Sequence, residues 1–155
     1  MSACTYYNAA RSASDLGADP YQKDDKRLAG FTADGMFETA INMNMERVAL
    51  GDRWGAEDCA TEWIARSELQ FNNGYLEKAA DSISASREVI RGLGMTMKEV
   101  SIDACEGRYY QKLWEKTRNP DDMDAAIKRL KKAKADNIAM NRQWVADTIV
   151  VPEPL

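Results

Sequence analysis

Side chains that could carry out chemistry are few in this chain, because its 155 residues include no histidine. That absence removes Ser–His and Cys–His dyads, the usual general base at neutral pH and the most common transition-metal ligand. Carboxylate chemistry is possible in principle, but no pair of acids lies in an apolar stretch that would separate two pKa values. We therefore expect a protein that is not an enzyme and that needs no metal or cofactor.

The densest group of acids is Asp121, Asp122 and Asp124 in the stretch "NPDDMDAA". A calcium-binding loop needs a central glycine and a distal glutamate, and neither is present here. The pattern instead predicts the start of a helix. Asn119 or Asp121 caps that helix, Pro120 lies in its first turn, and the acids face the positive end of the helix dipole.

The three cysteines, Cys4, Cys59 and Cys105, are widely spaced and form no CxxC pair. This pattern predicts reduced, buried thiols in a cytoplasmic protein. An alternative stays open, because "SAC" at residues 2–4 resembles the end of a bacterial lipobox. In that case Cys4 would anchor an extracytoplasmic lipoprotein, and Cys59 and Cys105 could pair.

The composition is 45% hydrophobic and 30% charged, which is typical of one globular domain. The longest apolar runs are only a few residues and Met1 begins no signal-peptide pattern, so we expect neither a membrane span nor an intact signal peptide. A net charge of −4 gives no general attraction for nucleic acid. The basic stretch at residues 126–142 is expected to be a solvated helix face.

Apolar residues recur at spacings of three and four along the chain, and glycines and prolines fall between these periodic segments. This pattern predicts an all-α fold, with residues 1–150 as a single domain and 151–155 as an extended tail. Connections of a few residues make neighbouring helices antiparallel, as hairpins. The predicted helices cover residues 3–16, 21–30, 34–50, 55–72, 75–92, 96–118 and 121–147.

One short phrase occurs three times, as "GMFETAI" (35–41), "GYLEKAA" (74–80) and "DDMDAAI" (121–127). Each has a turn residue, an apolar residue, an acid and an alanine in the same order. We interpret the phrase as the opening of the second helix of a hairpin, with the alanine where two helices approach closely. Ala79 and Ala126 are therefore predicted to lie at close contacts between helices.

The stretch "TEWIARSELQFNNGYLEKAADSISASREVIRGLG" resembles a tetratricopeptide repeat (TPR), and weaker similarity extends over about residues 34–135. Departures from the family pattern include Gln70 and Ser86, and an irregular helix bundle is the alternative. The resemblance implies stacked antiparallel hairpins in a short right-handed array. The residues that carry it are Trp63, Ser67, Leu69, Phe71, Gly74, Leu76 and Ala79.

The resemblance also implies a non-catalytic interaction or scaffold module that binds a peptide or a partner helix in a groove. The groove would be formed by the first helix of each hairpin. Its candidate polar residues are Glu62, Arg66, Asn72, Asn73, Arg108 and Lys112.

The alternative function is a ligand-binding accessory protein with an apolar pocket inside the helices. Its candidate lining residues are Phe37, Trp63, Phe71, Tyr110 and Trp114. The apolar segment "CTYYNAA" near the amino end has no polar cap of its own. It either packs on residues 21–50 of the same chain or meets a second copy, and we expect a homodimer.

Overall fold

A computed structural model describes residues 1–23, 28 and 30–155, and these residues contain helices and no β-strand. The prediction of an all-α fold is confirmed. None of the helices in this described part has both the length and the apolar character that crossing a membrane requires. The helices are α1 (Ala3–Asp15), α2 (Ala33–Ala49), α3 (Arg53–Asn72), α4 (Leu76–Val89), α5 (Thr96–Thr117), α6 (Pro120–Ala139) and α7 (Gln143–Ala146).

The chain forms two compact units, Met1–Gly94 and Met95–Leu155, where the sequence predicted a single domain over residues 1–150. In the first unit each helix packs on the next, from α1 to α4. In the second unit α5 packs on α6, and α6 on α7. The residues just before the boundary include Gly92 and Gly94, both at positive φ, a backbone conformation that glycine adopts without steric cost.

The predicted boundaries of five helices agree closely with α1 to α5. The turns that end α2 and α3 explain this agreement. Gly51 and Gly74 have φ values of 79° and 85°, and the amides that follow them, of Asp52 and Tyr75, bond back to the carbonyls of Arg47 and Gln70. These are Schellman motifs, which glycine marks clearly in a sequence.

The predicted helix over 121–147 is wrong at its carboxyl end, because α6 ends at Ala139 and only the short α7 follows. Asn141 adopts φ of 58°, and the amide of Arg142 donates to the carbonyl of Asn137 at 2.8 Å. This is again a Schellman ending, but with asparagine in the left-handed position. Trp144 lies in the short α7 and is 71% exposed.

The start of α6 follows its predicted capping. The side chain of Asn119 accepts a hydrogen bond from the amide of Asp121, and Pro120 is the first helical residue. Half of the short helix predicted over 21–30 lies outside the described part, at residues 24–27 and 29. Its described residues, 21–23, 28 and 30, are not helical.

The amino-terminal helix is packed within its own unit. Ala10 and Ala13 are buried against α2, and the rings of Tyr7 and Phe37 lie 6.0 Å apart. Tyr6 is also partly buried against this core. The tyrosines and alanines of "CTYYNAA" therefore pack within the same unit. An uncovered apolar end no longer supports the expected homodimer, which stays a prediction.

The core of the second unit lies between α5 and α6 and extends into the carboxyl-terminal segment. Gly107 of α5 lets the two helices approach closely, since a Cβ atom there would lie 2.6 Å from Cγ of Leu130. Ile149 is buried against the same cluster and Val151 packs on it. The last residues, 149–155, are not helical, as predicted for the tail.

The three similar phrases begin at different positions relative to their helices. Gly74 ends α3, whereas Gly35 and Asp121 lie inside the first turns of α2 and α6. The alanine of each phrase nevertheless has no exposed surface, and these residues are Ala40, Ala79 and Ala126. Ala79 and Ala126, predicted to lie at close contacts between helices, are thus fully buried.

Replacing Ala79 by leucine should lower the free energy of unfolding by about 1 to 3 kcal/mol, because the larger side chain has no space at a fully buried position. Urea denaturation followed by circular dichroism measures the change. The control is Ala49→Leu, at an exposed position of α2 in the same unit. Equal stability of the two variants would mean that α4 does not pack on α3 as described.

Candidate functional site

A line of polar side chains connects α2 and α3. On α3 it consists of Asp58, Glu62, Arg66 and Gln70, which share one face of the helix because they are spaced by four residues. Their partners on the antiparallel α2 occur in reverse order: Arg47 bonds Asp58, Asn44 bonds Glu62, and Asp34 bonds Arg66 and Gln70. We call these seven residues the polar ladder.

One end of the ladder is the ion pair between Arg66 and Asp34. Nε and Nη2 of Arg66 donate to the two carboxylate oxygens of Asp34, at 2.8 and 2.7 Å. The side chains are only 15% and 7% exposed. A buried pair is stable only when its geometry is good and its remaining polar atoms are satisfied. The two-point contact meets the first condition and holds the guanidinium in one orientation.

Gln70 satisfies the remaining polar atoms around this pair. Its Nε2 donates to Asp34 at 3.3 Å and to the hydroxyl of Tyr21 at 3.1 Å. Its Oε1 accepts a hydrogen bond of 2.6 Å from Ser82 on α4. Burial raises the pKa of the Tyr21 hydroxyl, which therefore stays neutral. Gln70 thus joins α2, α3, α4 and the segment before α2 at one point.

An open cleft of about 440 Å³ lies over this end of the ladder, and we call it the Arg66 cleft. Arg66 lies against the ring of Trp63, 5.2 Å from its centroid, and Nζ of Lys78 lies 4.2 Å from the centroid of Tyr21. Charges of both signs surround these rings, including Glu38 and Asp81. The cleft therefore offers aromatic surface, fixed hydrogen-bonding groups and both signs of charge.

The other end of the ladder holds a buried carboxyl group. Glu62 is 4% exposed, and Nδ2 of Asn44 donates to both of its oxygens at 2.8 Å. Asn44 Oδ1 in turn accepts from Arg47, whose guanidinium also bonds Asp52 and Asp58. Burial raises the pKa of Glu62 to about 7, against the opposing effect of the Asn44 hydrogen bond. Glu62 is thus a buried acid with a raised pKa, which the sequence did not lead us to expect.

A second open cleft, of about 530 Å³, lies beside this carboxyl group, and we call it the Glu62 cleft. The start of α1 forms one wall with Cys4 and Tyr7. Met43 and Thr61 from α2 and α3 complete the lining near Glu62. The cleft therefore combines mainly apolar walls with one buried acid, the combination common at small-molecule sites.

All three cysteines are free thiols, but only Cys59 and Cys105 are buried as predicted. Burial raises the pKa of Cys59 to about 12, which makes that thiol unreactive. Cys4 is exposed instead, in the first turn of α1, where its sulfur accepts a hydrogen bond of 3.4 Å from Asn8. The described residues contain no group of three or more acids and cysteines arranged to hold a metal.

The six residues predicted to line one groove divide between the two units, four in the first and two in the second. Glu62 is buried in the ladder rather than solvated, because its carboxyl group faces Asn44. Asn72 is exposed at the end of α3, and Asn73 caps that helix by donating to the carbonyl of Leu69 at 2.8 Å. Arg66 alone lines the Arg66 cleft. The other two, Arg108 and Lys112, belong to α5 in the second unit.

The five residues predicted for the alternative apolar pocket also divide between the two units. Phe37 and Phe71 are 0% and 3% exposed in the packed interior, so they have no surface left to line a cavity. Trp63 lines the Arg66 cleft. Tyr110 and Trp114 lie in the second unit, where each ring contacts an arginine.

Sequence reasoning missed Tyr21 and five members of the ladder, which are Asp34, Asn44, Arg47, Asp58 and Gln70. A signal was present for the five ladder residues. Once the turn between α2 and α3 is predicted at residues 50–52, positions can be counted outward from it along both helices. Complementary polar residues of α2 and α3 then lie at nearly equal numbers of residues from the turn. A search for such pairs across predicted hairpins would have found the ladder.

No protein-family model, curated protein sequence or solved structure matches this chain. The two clefts are therefore interpreted from their own chemistry.

The variant Glu62→Gln should remove a pH dependence of stability. The pKa of Glu62 is raised from 4.5 to about 7 in the folded protein, so between these values the unfolded chain loses a proton that the folded chain keeps. The free energy of unfolding therefore falls as the pH rises between these two pKa values, and the total loss is about 3 kcal/mol. Glutamine carries no titrating proton and can still accept from Asn44.

Chemical denaturation from pH 4 to 8.5 gives the free energy of unfolding of the variant and of wild type. The value for Glu62→Gln minus the value for wild type should grow with pH and level off above pH 7. Glu46→Gln, at an exposed position of α2, is the control and should show no such trend. Parallel curves for Glu62→Gln and wild type would contradict the raised pKa.

Proposed function

We propose that this chain is a non-catalytic protein-interaction module that binds a peptide or a partner helix in the Arg66 cleft. The observation that carries the proposal is the fixed position of Arg66, held by Asp34 at 2.8 and 2.7 Å beside the ring of Trp63. Tryptophan and arginine are the residue types most often responsible for binding energy at protein interfaces. An arginine that is already ordered loses less conformational entropy when a partner binds.

The shape of the cleft also favours a peptide. It is open rather than enclosed, so an extended chain or a helix can lie across it. Lys78, Glu38 and Asp81 offer charges of both signs near the aromatic rings. Such an arrangement selects a partner by its charge pattern as well as its apolar side chains.

The TPR-like interpretation belongs to this proposal, because stacked hairpins in that family present grooves to peptides. The predicted cytoplasmic location and the alternative of a lipoprotein anchored at Cys4 both stay predictions. The thiol of Cys4 is exposed, as attachment of a lipid to Cys4 would require.

Selection from a random peptide display library tests the proposal. Selected peptides should bind wild type, and their affinity for Trp63→Ala should be at least about tenfold lower. A tenfold loss corresponds to about 1.4 kcal/mol, and truncation of a hot-spot residue costs this much or more. The matched control is Trp54→Ala, because Trp54 is 68% exposed and does not line the cleft. When a selected peptide binds to wild type, the chemical shifts of backbone amides around Trp63 and Arg66 should change.

Two outcomes would overturn the proposal. One is that no peptide is enriched over a blank surface. The other is that the selected peptides bind Trp63→Ala as well as wild type, with shifts away from the Arg66 cleft.

A further inference from the structure

The acid of the Glu62 cleft forms no ion pair among the described residues. The charge of Arg47 lowers the pKa of Glu62, but its guanidinium directs its hydrogen bonds to Asp52, Asp58 and the Asn44 oxygen. Arg66, four residues along α3, bonds Asp34 instead. The donor shown for Glu62 is the neutral amide of Asn44. A carboxylate that is 4% exposed and not neutralised by a cation is costly to ionise.

The cleft beside this acid provides space for a group that would neutralise it. Its volume of about 530 Å³ lies within the range of small-molecule sites, which is about 300–1,000 Å³. Met43 and Tyr7 give it apolar and aromatic surface, and Asn44 holds the carboxyl group at its edge. Aromatic rings and thioethers suit the body of an organic cation, and a carboxylate suits its charge.

We propose that the Glu62 cleft binds a small organic ammonium ion, with the cationic nitrogen at the Glu62 carboxylate and the apolar body against Met43 and Tyr7. This site is separate from the Arg66 cleft and does not depend on the peptide-binding proposal. A cation is favoured over a neutral ligand because it would supply the charge partner that the fold leaves out. It is favoured over an anion because two carboxyl groups, those of Glu62 and Asp58, line the cleft against the single guanidinium of Arg47.

Ion pairing requires the ionised form of Glu62, so binding couples to loss of its proton. With a pKa of about 7, a few per cent of Glu62 is ionised at pH 5.5 and most of it at pH 8. The affinity for a permanently charged ammonium ion should therefore rise about thirtyfold over this range. The other ionisable groups facing the site are Arg47 on α2, Asp58 on α3, and Cys4 and Tyr7 on α1.

Isothermal titration with four probes tests the proposal: benzylamine, benzyltrimethylammonium, benzyl alcohol and benzoate. The two cations should bind to wild type at pH 8, and benzyl alcohol and benzoate should bind at least tenfold more weakly. Glu62→Gln should lose at least tenfold in affinity for the cations. Glu46→Gln, which changes the net charge equally at an exposed site, should bind them as wild type does.

A measurement on wild-type protein keeps the test independent of any change in the variant. The carboxyl carbon-13 resonance of Glu62 should titrate near pH 7 in the free protein and at a lower pH when benzyltrimethylammonium is saturating. The proposal is overturned if neither cation binds, if benzyl alcohol binds as tightly as the cations, or if Glu62→Gln retains full affinity. An unchanged Glu62 titration in the presence of bound cation overturns it as well.

Discussion

The structure of the first unit depends on one constraint, which is that polar groups buried between α2 and α3 must find partners. An unpaired buried charge costs several kcal/mol, so the helices can pack only in the register that joins Asp34 to Arg66 and Asn44 to Glu62. Apolar side chains alone would tolerate small shifts along the helices. The ladder therefore makes the packing specific, and every buried side-chain polar atom of the described residues has a partner.

The same constraint produces both candidate sites. At one end the charges are matched within the protein, and the result is an arginine fixed beside Trp63 in an open cleft. At the other end an amide takes the place of a cation, and the result is an acid whose pKa is raised by burial to about 7. One candidate site thus contains an arginine held in a fixed position, and the other contains a buried carboxyl group that is hydrogen-bonded by an amide instead of a cation.

The helices could be predicted from sequence where local signals determine them. Glycine at the ends of α2 and α3 and capping by Asn119 act within a few residues, and the predicted boundaries there agree with the structure. The end of α6 was missed because asparagine, unlike glycine, rarely marks the left-handed position. The sites were largely missed for a different reason. Burial of Glu62 depends on Asn44, eighteen residues away, and helical periodicity by itself suggests that a glutamate is solvated.

The most direct test of the ladder is a double-mutant cycle on Asp34 and Arg66, with the free energy of unfolding as the measurement. Asp34→Ala and Arg66→Ala should each cost about 3 to 5 kcal/mol, because each leaves an unpaired buried charge. The double variant should cost no more than either single change, which gives a large coupling energy. If the loss of unfolding free energy in the double variant equals the sum of the two single losses, the account is contradicted. The two side chains would then not depend on each other for their burial.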